Sequence, residues 1–270
     1  MTLHSLLLTS TLAVACTFGG PDQAAQTLQS SPFDHTHAVW TEILKQHVVA
    51  DRIDYAAIKK DRGALDAYLA QLHAVTPGEL ASWTREQQFA FWINTYNAHV
   101  VDLVLTEYPI ESIKDIGGLF GSVWKKSFIA MPALHPSGKP GTLSLDELEH
   151  QILRPRFKDA RVHAAINCAS LSCPPLRNEA FVAEHLGEQL DDQVRKWLGD
   201  PTRNRFDEAK SRAEVSEIFD WFKDDFVRDG GSVVAWIAKY SPASQATWLS
   251  KGKVKLSSLD YSWKLNDVQH

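Results

Sequence analysis

Apolar side chains return at helical intervals along most of the chain after residue 33. Val39, Ile43, Leu44 and Val48 do so within residues 37–49, and Leu65, Tyr68, Leu69 and Leu72 within residues 57–72. Such spacing predicts amphipathic helices. The run from Phe89 to Val101 is apolar on nearly every side, and a helix of that kind belongs in the middle of a domain. Thr84-Arg85-Glu86-Gln87 before it has the form of a capping box, in which hydroxyl and amide side chains each satisfy an orphan backbone donor. Ser144-Leu145-Asp146-Glu147 repeats that form and opens a helix that Arg154-Pro155 is expected to close. Between the two boxes, residues 109–141 are rich in Pro and Gly, which predicts loops with short strands around Trp124 to Met131.

Val162 to Ile166 reads as a short buried strand that runs into the loop Asn167 to Leu176, where Pro174-Pro175 forbids continued helix or central strand. Helices are expected over 180–198, 215–228 and 231–250, and a last strand over 254–259. Residues 33–270 show neither a repeat nor a change of composition. The expected fold class is α+β, a helix-rich single domain with a small sheet.

The first residues follow a different pattern. Leu6 to Ala15 is apolar, too short to span a bilayer, and ends in the small-x-small triplet Ala13-Val14-Ala15. Residues 1–16 are therefore expected to be a signal peptide, although His4 is the only approach to a basic residue before the apolar run. Leu12-Ala13-Val14-Ala15-Cys16 also reads as a lipobox, which makes Cys16 a candidate lipid anchor. Residues 17–32, rich in Gly, Gln, Ser and Pro, read as a flexible tether. The expectation is an exported protein, periplasmic or a membrane-anchored lipoprotein, with no transmembrane helix.

Charge narrows the partners. The 28 basic residues are outnumbered by 33 acidic ones, net −5, and are spread along the chain, so nothing electrostatic favours nucleic acid. A peptide, glycan or protein partner remains. No cofactor is expected, and the cysteine spacing lacks the second Cys or His pair of a zinc site.

The candidate chemistry centres on Cys168 and Cys173, which share one ten-residue loop. In one reading Cys168 is a thiolate nucleophile activated by an imidazole. In the other the two cysteines form a small-loop disulfide, as an oxidising compartment favours. A dedicated redox cycle is disfavoured, since the spacing exceeds Cys-x-x-Cys and no thioredoxin-like βαβ unit precedes it. His150 and His163 are both candidate bases. Asn94 and Asn97, three apart on the most apolar helix, either satisfy loop backbone or act as the amide of a Cys-His-Asn arrangement. Trp92, Tyr96 and Trp124 read as core aromatics, and Lys125-Lys126 as a solvated pair.

These residues together resemble the family of unknown function called DUF547. The resemblance is carried by Arg52 to Tyr55 with Leu65 to Leu69, Phe91 to Ala98, Tyr108 to Ile116, Leu143 to His150, Val162 to Leu176, Ile218 to Phe222 and Leu259 to Asn266. Together with the leader it suggests an exported bacterial member of that family, and it implies no established activity. Two readings of function follow: a cysteine-dependent hydrolase or acyl transferase with Cys168 as nucleophile, or a non-catalytic envelope binding module with a Cys168–Cys173 disulfide.

Overall fold

Thr84 begins the longest helix among the described residues, and both halves of the capping box are present: Thr84 Oγ1 accepts from Gln87 N at 3.2 Å and Gln87 Oε1 from Thr84 N at 2.9 Å. In the computed structural model, residue 1 and residues 32–117, 122–138, 140–251 and 253–269 are described. The leader, Cys16 and nearly all of the tether lie outside them. Phe33–His270 forms one compact unit, helix-rich and α+β. Among the described residues no helix is long and apolar enough to cross a membrane.

Five helices open the unit: α1 (Ala38–His47), α2 (Tyr55–Lys60), α3 (Gly63–Ala74), α4 (Pro77–Ser82) and the long α5 (Arg85–Glu107). The expected single run over 57–72 is two helices, because Asp54 accepts from Ala57 N to start α2 early and the chain breaks before Gly63. Val48 leaves α1 to pair with Ile53 in a two-stranded hairpin, β1 (Val48–Val49) and β2 (Arg52–Ile53). α5 is buried from Phe89 to Leu105 except at Asp102, and its apolar faces hold together a first core that includes Trp40, Tyr68, Phe89, Trp92, Leu148 and Phe181.

The second capping box opens α6 (Leu145–Glu147), which continues as a π-helix over Leu148–Phe157. Pro155 does not end it. The wider i→i+5 turn accommodates the ring that would otherwise strike the carbonyl of Gln151, one turn back. Val162 to Ile166 is likewise not a strand. The turn at Asp159–Arg161, held by Asp159 Oδ1 on Arg161 N at 3.0 Å, winds Val162–Ala165 into a four-residue helix, α7. The expected strands near Trp124 reduce to a 3-10 turn at Val123–Lys125 and one bridge, Ile129 with Leu143.

α8 (Leu186–Gly199) starts later than expected. It is followed by a hairpin the helical reading missed, β3 (Arg205–Asp207) against β4 (Arg212–Val215). β5 (Lys255–Ser258) joins β4 in parallel, Ala213 beside Leu256. α9 (Ile218–Trp221), α10 (Lys223–Gly230), α11 (Val233–Tyr240) and α12 (Ala243–Leu249) complete a second core around Trp197, Phe219, Phe226 and Trp236. At Gly230 a Cβ would come within 2.6 Å of Trp236 Cβ and 2.8 Å of its Cα, so glycine is what allows α10 and α11 to meet this closely.

Candidate functional site

Where the two cores meet, a cavity of about 170 Å³ opens, lined from the first by Tyr96, Leu145 and Ile166 and from the second by Ile218 and Phe222. Cys168, Cys173, Glu149, His150 and His163 line the same cavity. Of the residues expected from sequence, it brings together the cysteine and both histidines.

Asn94 and Asn97 lie elsewhere and hold backbone. Asn94 Nδ2 donates to Phe181 O at 2.7 Å and its Oδ1 accepts from Phe181 N at 3.1 Å. Asn97 Nδ2 donates to Ala165 O at 2.9 Å while its Oδ1 accepts from Asn167 N at 2.8 Å. Each amide thus mimics a backbone partner in a place where water cannot reach, and Asn97 fixes the entry to the cysteine loop. Asn167 closes that loop by donating from Nδ2 to Pro174 O at 2.8 Å. Its Oδ1 accepts from Ala169 N at 2.9 Å, where Ala169 has φ 57°.

Inside this clamp the two cysteines are free thiols. Cys173 Sγ accepts from Cys168 N at 2.9 Å and lies 3.8 Å from Ile166 O. Cys168 Sγ is 3.3 Å from Ser170 Oγ and 3.1 Å from Tyr261 Oη. Burial pushes the Cys168 thiol up, but hydrogen bonds from Cys173, Ser170 and Tyr261 outweigh it and lower the thiol to about 7. Cys173 is held well above the ordinary range, by burial and then by the neighbouring Cys168 sulfur.

The two histidines differ. His150 is exposed, and its Nδ1 accepts from Arg154 Nη1 at 2.9 Å, so its basic lone pair is already occupied. His163 is buried, and its Nε2 lies 2.8 Å from Asp225 Oδ2. Against an ionised carboxylate Nε2 carries the proton, which leaves Nδ1 as the lone pair. Asp225 is held ionised: burial opposes this, but His163 and Arg154, whose Nε lies at 2.6 Å, keep its carboxyl well below the usual range, and Arg228 Nη1 donates to its other oxygen at 2.6 Å. Burial lowers the His163 imidazole despite this partner. Its ring stacks on Phe222, centroids 4.1 Å apart.

Glu149, one residue before His150 on the π-helix, has Oε1 3.9 Å from His163 Nδ1. Burial raises its carboxyl to about 8, with the nearby Arg154 opposing and Cys168, Asp146 and Asp225 adding. The cavity therefore holds a sulfur inclined to lose its proton and a carboxyl inclined to keep one.

The rim comes from the end of the chain. Residues 259–267 run beside the cysteine loop, with Leu171 N on Lys264 O at 2.9 Å and Ser262 N on Ser172 Oγ at 2.8 Å. They bring in Tyr261 and Trp263. Trp221, 43% exposed, packs on both, and its ring lies 12° from the plane of Trp263. Trp124, expected in the core, is only partly buried and joins this rim, whereas Trp92 and Tyr96 are buried. Lys125 and Lys126 are exposed.

Glu149, Asp225 and Tyr261 were not singled out by the sequence reading. Glu149 and Tyr261 lie inside segments that carried the resemblance, while nothing local marks Asp225, 62 positions beyond His163. Comparison with known proteins finds a match to the family model DUF547, described as a protein of unknown function, over residues 80–198. No curated protein and no solved structure matches the chain. The match takes in α5, the π-helix and the whole cysteine loop.

Proposed function

We propose that this protein is a cysteine-dependent acyl-group hydrolase or transferase, with Cys168 as nucleophile and Glu149 as the proton carrier. The observation that carries the reading is the gathering of Cys168, Glu149 and the His163–Asp225 pair on one cavity, with Tyr261 and Ser170 within hydrogen-bond reach of the sulfur. Cys168 thiolate attacks the acyl carbon; a C–S bond forms, the bond to the leaving group breaks, and the departing group takes its proton from Glu149. Water or another acceptor then attacks the thioester and gives its proton to the Glu149 carboxylate. The acyl carbon leaves sulfur, and thiolate and protonated acid are both restored. His163, held by Asp225, is the positioning residue that keeps a lone pair towards Glu149.

The free state of both cysteines favours this reading over a binding module stapled by a Cys168–Cys173 disulfide. Export, with Cys16 as a lipid anchor, belongs to the same proposal and rests on the leader pattern of residues 1–16. The purified protein incubated with a nitrophenyl ester and quenched is expected to carry one acyl group on Cys168, located by peptide mapping. Cys168→Ala, folded by circular dichroism, is expected to carry none. Acylation confined to other residues, or persisting in Cys168→Ala, contradicts the assignment.

A further inference from the structure

Cys173 has no part in the acyl chemistry just described, yet its sulfur sits against the nucleophile. It accepts from the backbone N–H of Cys168 at 2.9 Å. The loop that carries both is pinned at its two ends, by Asn167 on Pro174 O and by Arg203 Nε on Cys173 O at 2.7 Å. Both sulfurs line the same cavity, so a small molecule that reaches one reaches the other.

We infer that Cys173 is a resolving thiol, and that a hydroperoxide entering the cavity converts Cys168 and Cys173 into a reversible disulfide that switches the site off. This rests on the reading of Cys168 as the reactive thiolate. In the first step Cys168 sulfur attacks one peroxide oxygen; an S–O bond forms and the O–O bond breaks. The released alkoxide or hydroxide takes up a proton, so the peroxide is reduced by two electrons and Cys168 is oxidised to a sulfenic acid. In the second step Cys173 sulfur attacks Cys168 sulfur; an S–S bond forms, the S–O bond breaks, and the hydroxyl leaves as water with the Cys173 proton. The sum is two thiols and one hydroperoxide giving one disulfide, one alcohol or water, and one further water. A dithiol reductant reverses it.

The placement suits each role. Cys168 has hydrogen-bond donors that stabilise a thiolate, whereas Cys173 is buried and keeps its proton until a sulfenic acid forms beside it. A nucleophile without such a neighbour passes on to sulfinic and sulfonic acids, which are not recovered. For a protein proposed to work outside the reducing cytoplasm, the second sulfur turns a terminal oxidation into a reversible one.

The test uses the full reduced chain, hydrogen peroxide as the probe, and peptide mapping. Both cysteines fall in one tryptic peptide, Val162 to Arg177, so the disulfide registers as the loss of two hydrogens from that peptide. The expected result is that loss, together with blocked acylation, and full return of both on dithiothreitol. Cys173→Ser, with Cys173→Ala as a second variant in case one fails to fold, is expected to trap dimedone on Cys168 and to lose the recovery. Sulfinic acid at Cys168 of the unsubstituted chain, with Cys173 still open to alkylation, overturns the inference. The pH dependence of Cys168 alkylation in the same preparation separates the two failures. Reactive Cys168 without a disulfide overturns the switch and leaves the acyl chemistry standing; unreactive Cys168 overturns both.

Discussion

The two cores on either side of the cavity are built by opposite means. The first is organised by one helix, α5, buried along its length and buttoned to loops by Asn94 and Asn97. The second has no central element. Short helices converge on the rings of Trp197, Phe219, Phe226 and Trp236, with Trp197 and Phe219 stacked at 4.6 Å. The first therefore supplies fixed backbone for the nucleophile, and the second supplies side chains that complete the site from a distance in sequence, Asp225 and Tyr261 among them. The family match ends at residue 198, so it covers the fixed part and not the part that completes it.

Substitutions that separate the two halves should rank by how many connections each breaks. Asp225 joins them, holding His163 and Arg154 from across the seam, so Asp225→Asn is expected to lower unfolding stability by about 3 kcal/mol in denaturant titration. Because its carboxyl is lowered in the fold, that contribution is complete above the ordinary value of 3.8 and is lost as pH falls below it. The difference between the two proteins should shrink towards strong acid. A loss of less than about 0.5 kcal/mol at neutral pH would mean that the seam does not depend on Asp225.

Asn97→Ala removes two buried backbone partners on the first side only. A loss of about 2 kcal/mol is expected, with slower acylation of Cys168 because the loop entry is no longer held; equal acylation rates would show that the clamp does not position the sulfur. Gly230→Ala tests the second core alone. The new methyl must displace Trp236 backbone, and about 1–2 kcal/mol of destabilisation is expected with acylation of the folded fraction unchanged.

The effect at Glu149 is read through pH. Its carboxyl is raised in the fold, so the stability tied to the protonated form is complete below the ordinary value of 4.5 and is lost as pH rises through about 8. Glu149→Gln should flatten that decline between pH 5 and 8 while slowing departure of poor leaving groups. A variant with the same pH slope as the original would place the titration on another group.

Legibility in the sequence follows the same division. The start of α5, its burial, the second capping box and the cysteine loop were readable because each rests on local spacing. Val162 to Ile166 misled because a short apolar run fits strand and buried helix alike, and the preceding Asp159 turn decides. Pro155 misled because a proline forbids an α turn more firmly than a π turn. The hairpin β3–β4 was present as the alternation of Phe206, Ala213 and Val215 with charged neighbours, over strands short enough to be lost among helical signals. Asp225 was not legible at all, since only tertiary packing brings α10 to α7. His150 and His163 were indistinguishable by position; their partners, Arg154 for one and Asp225 for the other, separate them.

The proposed chemistry depends most on Cys168 being a thiolate at neutral pH, and the rate of its alkylation by iodoacetamide across pH 5 to 10, read by peptide mapping, tests this directly. A rate that rises with a midpoint near 7 is predicted, and Tyr261→Phe should move that midpoint upward by removing one donor to the sulfur. A midpoint at the ordinary thiol value of 9.0, unmoved in Tyr261→Phe, would contradict it.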